Sequence, residues 1–374
     1  FFYAFHELAL IPTFLMIGML GRGDRKGIAW KVTIYLAFGS IVLLAGLLWL
    51  VSETGSKSLL FEDLLASSIP AETQAGIAAF LLVGFGTLIS LFPFHSWAAP
   101  AYASAPAPVA MLHAGVLKKF GLYGLIRLYP LVSEGLQEWL VLLIVLLLGN
   151  ILWVGFVTIN QKRLDTMLGN SSVMHMGYIF LAIAALIAGG EDNPLAIPAA
   201  VLLMFAHGIS IALLFGLADN IERSAQSLEL RELGGLAKNA PALAFFFGLA
   251  GMASIGLPGL ANFAGEIMVF LSGFRNWLPE DGFGPVQVGT VLALWGLVIS
   301  AVYMLRAFRK TFQGPLPTPL EGATDLTTAQ RLPALILATT LLIVGLYPNI
   351  LLRFLNDAPT EATQATVQSS VAPR

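Results

Sequence analysis

Two adjacent lysines, Lys118 and Lys119, lie inside an apolar stretch (residues 108–129) that is long enough to cross a membrane. A lysine near the middle of a bilayer costs roughly 2.5 to 3.5 kcal/mol on insertion scales, so it needs a partner, a water-filled cavity or a function. His113 lies in the same stretch. This part of the chain therefore predicts chemistry within the membrane.

The other apolar stretches carry few ionisable groups, and among them are two acids (Glu7 and Glu266) and two histidines (His175 and His207). Carboxylates, amines and imidazoles can exchange protons when burial and pairing bring their pKa values together. A lysine far from water can lose its proton when a nearby carboxylate moves away and regain it when the carboxylate returns. The pattern predicts a proton relay that is made of Glu7, Lys118, Lys119, His175, His207 and Glu266.

Each of these groups also has an ordinary structural interpretation. A lone membrane histidine most often hydrogen-bonds a neighbouring helix, and this is the interpretation preferred for His95 and His113. Successive helix positions differ by about 100°, which leaves His6 free to point away from Glu7. No helix offers two histidines at positions i and i+4 beside a carboxylate, so no metal site is expected. The chain has no cysteine, which excludes thiolate metal sites and iron–sulfur clusters.

The composition is that of a polytopic, all-α membrane protein. Of the 374 residues, 57% are hydrophobic and only 11% are charged, whereas a soluble domain carries about 25% charged residues. A helical span needs about 20 mostly apolar residues. Ten such spans are predicted, at 1–20, 28–52, 76–97, 108–129, 137–159, 170–188, 194–218, 241–274, 287–312 and 332–354.

Two of the ten spans contain internal breaks. The third breaks near Pro93 and is expected to leave the membrane through a link rich in proline and alanine; the eighth breaks near Pro258. Proline removes a backbone donor, so such a break needs protein or water around it. The two spans are five apart and cross in opposite directions, as an inverted repeat requires. Ordinary proline kinks are the alternative interpretation.

The basic residues of the loops predict the orientation of the chain in the membrane, and the composition predicts the limits of its transmembrane domain. Most arginines and lysines, among them Arg22, Lys162 and Arg231, fall in alternate loops, and this side is assigned to the inside. Residues 1–356 are predicted to form one transmembrane domain. Residues 357–374 are polar and are predicted to form a disordered tail. The sequence begins inside an apolar run without methionine, so further spans are expected upstream.

Several stretches resemble the antiporter-like membrane subunits of NADH-quinone oxidoreductase (respiratory complex I), and subunit M most closely. They are PFHSWAAPAYASAPAPVAMLHAGVLKKFGLYGLIRL (93–128), SSVMHMGYIFLAI (171–183), MFAHGISIALLFGLADNIER (204–223), GLPGLANFAGEIMVFLSGF (256–274) and FHELALIPTFLMIG (5–18). The resemblance implies fourteen helices with two inverted five-helix repeats, of which this chain would hold the last ten. It also implies that Lys119 is the central lysine and Glu266 the acid of the second broken helix.

One departure from the family concerns the partner of Glu7. The resemblance places a lysine five residues before the proline of the first break, and that position is Leu88 here. Leu88 carries no charge, so Glu7 loses the partner that the family would give it. We hypothesise that Lys118 takes this role, in which case Lys118→Ala lowers pumping as much as Glu7→Gln does. The alternative is that Lys118 packs its aliphatic stem and snorkels.

The leading functional interpretation is a proton-translocating membrane subunit that couples quinone reduction to proton pumping within a larger enzyme complex. It predicts other membrane subunits and the lipid bilayer as partners, protons as the transported species, no nucleic acid, no cofactor bound by this chain and a bacterial inner-membrane location. The alternatives are an Mrp-type cation/proton antiporter, a membrane-bound hydrogenase subunit and a scaffold that does not pump. Neighbouring genes for quinone- or NADH-reacting subunits would separate the first from the others.

Overall fold

The computed structural model describes residues 1–356, so the predicted tail (357–374) lies outside the described residues. Residues 1–356 are mostly helical, and this part of the chain contains no β-sheet. The helices are α1 (Phe2–Leu20), α2 (Arg25–Thr54), α3 (Phe61–Leu65), α4 (Ala71–Ile89), α5 (Ala98–Ser104), α6 (Ala107–Leu131), α7 (Ser133–Glu138), α8 (Leu140–Ile159), α9 (Leu164–Gly189), α10 (Ala196–Ala225), α11 (Pro241–Ile255), α12 (Ala261–Phe274), α13 (Pro285–Phe312), α14 (Thr328–Leu346) and α15 (Asn349–Asn356).

The ten predicted spans are present. Nine of the described helices are long and apolar enough to cross a membrane, and α11 with α12 forms the tenth span in two shorter pieces. Several helices continue past the apolar part that the sequence marked, because polar residues at a membrane surface extend a helix without penalty. The last span is shorter than predicted: α14 ends at Leu346, and Pro348 separates it from α15.

The predicted link after Pro93 is wrong in one respect: residues 98–104 form a buried helix, α5, instead of an irregular surface segment. Its small side chains allow it to lie directly against α9. A Cβ atom added to Gly169 of α9 would lie 2.8 Å from the Cα atom of Ala99, a distance that shows how closely the two backbones approach. The third span is therefore α4, a break, and then α5. We refer to residues 90–97 as the first break and to residues 256–260 as the second break.

Contacts between loops bear out the predicted grouping into two sides. On the basic side, Arg22 bonds Asp219 at 2.9 Å and also Glu222, and the Gly235 N–H donates to the Gln313 carbonyl at 3.0 Å. On the opposite side, the Gln74 side chain accepts from the backbone N–H of Glu134 at 3.2 Å. Because α4 begins on that opposite side and α11 begins on the basic side, the two broken spans run in opposite directions.

The start of α11 is fixed by a carboxylate from the loop before α14. Asp325 accepts hydrogen bonds from the backbone N–H groups of Ala242 and Leu243, at 3.1 and 3.0 Å, and pairs with Arg331 at 3.1 Å. Burial raises the pKa of Asp325, but the backbone hydrogen bonds and the Arg331 guanidinium outweigh it, so that the pKa is lowered overall. The ionised carboxylate thus satisfies N–H groups that a helix start leaves free.

Candidate functional site

The two lysines follow a widened turn of α6. Residues 113–117 form a π-helical turn, in which the Lys118 N–H donates to the His113 carbonyl at 3.1 Å. Such single π turns occur often at functional sites. Both lysines are buried, with 2% and 6% of their surface exposed. Because they are adjacent on a helix, their side chains leave α6 in different directions.

Lys118 points towards α9 and α5. Its Nζ atom lies 3.4 Å from both the carbonyl oxygen and the Oγ atom of Ser172, and 5.6 Å from the centre of the Tyr102 ring. These neutral oxygens and the aromatic face stabilise a positive charge without a carboxylate. The predicted alternative, in which Lys118 snorkels to a surface, does not fit this position.

Lys119 points towards the groove between α6 and α10. Its Nζ atom donates to the backbone carbonyl of Ala114, and its side chain lines an apolar cavity of about 750 Å³ with Gly208 and Met204 of α10. The π turn leaves carbonyl oxygens such as that of Ala114 available to a side chain. Lys119 therefore sits at the wall of an apolar groove, and the Ala114 carbonyl is the polar partner that its ammonium group has there.

From Lys118 onward, polar groups continue through the core in one row. The Ser172 hydroxyl lies 3.2 Å from Nε2 of His207. The rings of His207 and His175 are stacked, with centres 5.0 Å apart and planes 21° from parallel. The Nε2 atom of His175 lies 4.0 Å from Oε1 of Glu266. The structure thus brings four of the six predicted relay residues into one row, with Ser172 as a link that the sequence pattern did not indicate, whereas Lys119 lies beside the row, at the groove.

His175 holds the end of this row against the second break. Its Nδ1 atom lies 2.8 Å from the Ser171 carbonyl, and its Nε2 atom lies 2.9 Å from the Ser254 carbonyl, at the end of α11. A carbonyl oxygen only accepts hydrogen bonds, so both contacts are satisfied when both ring nitrogens carry protons. In that state the ring is a cation and the Glu266 carboxylate is its counter-charge.

Glu7 forms a separate cluster near the opposite edge of the bundle. It accepts a hydrogen bond from the Ser40 hydroxyl, which also lies 3.1 Å from the Tyr3 hydroxyl. His6 turns back along α1, so that its Nδ1 atom lies 3.2 Å from Oε1 of Glu7. The expectation that His6 was free to point elsewhere is therefore corrected. The Glu7 side chain is 34% exposed and borders a cavity of about 560 Å³ between α1 and α2.

The structure places Lys118 against α9 and does not bring it into contact with Glu7. Among the described residues, the basic group within 4.0 Å of Glu7 is His6. Leu88 is buried near the end of α4, with 4% of its surface exposed. A direct ion pair between Lys118 and Glu7 is thus not formed, and the expected effect of Lys118→Ala stays a prediction.

Sequence reasoning missed several polar residues that complete the site. Ser40, Ser172 and Tyr102 are buried and contact the predicted ionisable groups, and Asn150 binds the first break. Ser40 and Asn150 stand among apolar neighbours in their spans, so an isolated polar residue in a membrane segment was the available signal for these two. Ser172 follows two other polar residues, and Tyr102 lies outside the predicted spans, so neither gave that signal. The partner that each one contacts could not be read from the sequence, because those contacts join helices far apart in the chain.

Comparison with known proteins identifies the architecture. Residues 1–279 match the family described as "NADH:quinone oxidoreductase/Mrp antiporter, TM". The chain belongs to this family. It is 33% identical over 376 residues to "NAD(P)H-quinone oxidoreductase chain 4 1" of Synechococcus sp. (strain JA-3-3Ab), covering 99% of this chain and 69% of that protein. It is 31% identical over 316 residues to "NADH-quinone oxidoreductase subunit M" of Rickettsia felis, covering 84% of this chain and 61% of that protein.

A solved structure supports the same assignment. A chain of "Respiratory complex I from Thermus thermophilus with bound NADH" matches with a TM-score of 0.84 and 30% identity, covering 93% of this chain and 71% of that chain. The predicted resemblance and the antiporter-like helical fold are therefore confirmed, and the chain is a multi-pass membrane protein. The chain spans between about three-fifths and seven-tenths of the length of these relatives. The assignment of the six relay residues stays a prediction.

Proposed function

We propose that this chain is a proton-translocating membrane subunit of an NADH-quinone oxidoreductase, as the printed names of its relatives suggest. The observation that carries the proposal is the buried row from Lys118 through Ser172, His207 and His175 to Glu266. A row of ionisable groups this deep in a bundle costs stability and is typical of ion pathways.

In this proposal, Glu7 receives the signal from the rest of the complex. Lys118 and Lys119 hold the proton, His207 and His175 relay it, and Glu266 lies at the output. Moving one elementary charge against the membrane potential takes about 2.3 kcal/mol per 100 mV. A rearrangement of one ion pair in a partly buried site is of that order, so one pair can drive one proton.

Electron transfer takes place elsewhere in the complex in this proposal, and this chain binds no redox cofactor. Its partners are other membrane subunits, the surrounding lipid and protons, and its location is a bacterial inner membrane. What supports the location is that the relatives named above are bacterial. What supports the membrane partners is that the matching solved chain is part of respiratory complex I.

The test is proton pumping by the assembled complex in membrane vesicles that carry Lys119→Ala. We expect the pumping rate to fall by at least about tenfold. Removal of a positioned proton-transfer group usually costs a factor of about 10² to 10⁴ in rate, so this is a conservative threshold. Lys26→Ala is the matched control, because Lys26 is an exposed lysine on the basic side. Full pumping by an assembled Lys119→Ala complex would reject the proposal.

An Mrp-type cation/proton antiporter is the second candidate, and it is favoured by the family description, which covers both classes. The same buried row would serve an exchange of Na⁺ for H⁺. Vesicles that contain the chain in its complex distinguish the two: an antiporter collapses an imposed pH gradient when Na⁺ is added, without NADH. A pump builds the gradient only while electrons flow to quinone. The membrane-bound hydrogenase alternative would instead build it without NADH, and a scaffold would do neither.

A further inference from the structure

A basic cavity lies on the side of the molecule that the loop charges assign to the inside, away from the buried row. Its volume is about 330 Å³. Among the described residues, no acid lines it, and its lining consists of Gln161, Leu230 and four cationic side chains: Lys162, Arg231, Arg306 and Lys310. None of these residues has a role in the proposed relay. The cavity, which we call the basic cavity, therefore needs an explanation of its own.

Three segments of the chain are tied together around the basic cavity. The Leu230 N–H donates to the Lys162 carbonyl at 2.8 Å, which joins the loop after α10 to the link between α8 and α9. An Nη atom of Arg306 donates to the Gln161 carbonyl at 2.5 Å, which joins the end of α13 to the same link. Backbone carbonyls and packing thus hold four like charges near one another. Like charges repel unless an anion lies among them.

The described part of the chain does not supply that anion. Three of the four cations have no carboxylate within 4.0 Å among the described residues, namely Lys162, Arg306 and Lys310. Arg231 lies 3.7 Å from Glu232, and both side chains are largely exposed. The other nearby acids, Asp165 and Glu229, pair with Arg163 at 2.7 and 3.8 Å. The basic cavity is therefore left with an excess of positive charge.

Arg306 gives a second, independent indication of a bound group. Its Nε atom is buried and has no hydrogen-bond partner among the described residues. Buried donors are nearly always paired, and an orphaned one indicates a bound ion or water. A guanidinium carries five N–H donors in a planar fork that matches the oxygens of a phosphate group. Arg306 therefore points to an oxyanion as the acceptor.

An apolar stripe leads from the basic cavity along the membrane-spanning part of α13. Val298, Val302, Arg306 and Lys310 follow one another at intervals of four residues, so they lie along one side of the helix, about 6 Å apart. The two valines are 53% and 46% exposed. In a membrane, these valines face acyl chains, and the two cations stand at the level of the headgroups. A lipid would contact both parts of the stripe, whereas a free ion would contact only the cations.

We propose that the basic cavity binds the phosphate headgroup of an anionic membrane lipid, whose acyl chain lies along Val298 and Val302. Basic pockets between helices on the cytoplasmic side of a membrane suit such headgroups. A headgroup that also carries an ammonium group fits less well, because the four cations repel it. The inference does not rest on the proposed function, and proton pumping is not its readout, so either can fail without the other.

The alternative is that these residues follow only the general excess of arginine and lysine on the inner side of a membrane. In that case any basic residue of the same surface would attract anionic lipid equally well. Arg309 separates the two explanations, because it is exposed, directly precedes Lys310 on α13 and does not line the basic cavity. Lys310→Gln and Arg309→Gln remove the same charge from the same turn, but only Lys310→Gln removes it from the basic cavity.

The experiment captures the lipid where it lies. A photoreactive p-benzoylphenylalanine replaces Val302, and the assembled complex is reconstituted in vesicles with equal parts of phosphatidylglycerol and phosphatidylethanolamine. After illumination, mass spectrometry of the labelled peptide measures the ratio of the two captured lipids. We expect phosphatidylglycerol to be captured about fivefold more often, the factor that corresponds to about 1 kcal/mol per basic residue near a membrane surface.

The variants are made in the same labelled complex. Arg306→Gln and Lys310→Gln should each bring the ratio down to near one, and Arg309→Gln should leave it unchanged. Lys310→Gln keeps the test valid if Arg306→Gln fails to assemble, because Lys310 has no hydrogen-bond partner among the described residues, whereas Arg306 bonds the Gln161 carbonyl. Addition of inorganic phosphate at constant ionic strength should not change the ratio.

Four results would overturn the lipid site. They are equal capture of the two lipids by the complex without further substitutions, an equal loss in Arg309→Gln and Lys310→Gln, loss of the preference when inorganic phosphate is added, and capture of a protein segment in place of lipid. The third result would make free phosphate the ligand, and the fourth would make an acidic segment of a neighbouring subunit the occupant.

Discussion

The two breaks interrupt spans of opposite direction, and different side chains close them. At the first break, the Asn150 amide donates to the carbonyls of Ser90 and Val173, at 3.0 and 2.9 Å, and accepts from the Phe92 N–H at 2.6 Å. Trp97 adds a bond from its indole nitrogen to the Thr87 carbonyl at 3.0 Å. These amide, indole and backbone groups do not titrate near neutral pH, and the one ionisable side chain of the first break, His95, stacks on the Phe92 ring.

At the second break, the groups that contact the interrupted backbone are ionisable. His175 bonds the Ser254 carbonyl at the end of α11, and Glu266 of α12 lies directly beside Gly256, where φ is +80°. The first break is therefore held by an amide (Asn150) and an indole (Trp97), and the second break by an imidazole (His175) and a carboxylate (Glu266). If the proposed relay operates, we expect the first break to act as a structural joint and the second break to respond to the protonation of His175 and Glu266.

The largest effect is expected from Asn150→Leu. Leucine is similar in size but leaves the Ser90 carbonyl and the Phe92 N–H without the Asn150 partner and removes a second bond to the Val173 carbonyl, at about 3 kcal/mol or more in total. The apparent melting temperature of the purified complex should fall steeply, together with the amount of assembled complex. Asn160→Leu is the control, because Asn160 is exposed and bonds only the Phe156 carbonyl of its own helix.

An Asn150→Leu complex that kept its melting temperature and lost pumping would contradict the structural role of the first break. The first break would then act in proton movement as well, and the division between a structural and a functional joint would be wrong.

Glu266→Gln should show the opposite pattern. Glutamine has the same shape and cannot carry a negative charge, so the fold should survive while His175 loses its counter-charge. We expect pumping to fall by about tenfold or more, with a melting temperature close to that of the unmodified complex. Glu191→Gln, an exposed acid in a loop, should change neither quantity. A Glu266→Gln complex that pumps normally would place the output elsewhere.

The smallest effects are expected at the first residue of each break, where the backbone adopts the left-handed conformation. Ser90 has φ of 70°, and its hydroxyl is buried without a partner among the described residues, whereas Gly256 has φ of +80°. Ser90→Gly should raise the free energy of unfolding by about 0.5–1 kcal/mol, because glycine relieves the left-handed strain but has more freedom when unfolded. Gly256→Ala should lower it by about 1–2 kcal/mol.

Gly256→Ala should also reduce pumping, because the new Cβ atom would displace the Glu266 carboxylate. Melting curves and pumping assays on the two variants check both points. A pumping defect in Ser90→Gly, or none in a stable Gly256→Ala, would contradict the contrast between the breaks.

The helical content and the number of spans followed from the sequence, because a bilayer needs about 20 apolar residues for each crossing and leaves few other solutions. Lys118, Lys119, His175, His207 and Glu266 could be selected in the same way, since an ionisable group in an apolar span is costly wherever it points. The boundaries of α5 could not be read, because a seven-residue helix that contains a proline is too short to be stable alone and depends on its close contact with α9.

The sequence by itself thus determined which residues carry charge inside the membrane and how many times the chain crosses it. The tertiary structure decided which of those residues meet. Ser172 lies 54 residues from Lys118 and 35 from His207 along the chain, and His6 contacts Glu7 although a helix places neighbours apart. Such contacts depend on the rotation and spacing of packed helices, which small residues set by letting backbones approach, and no local pattern encodes them.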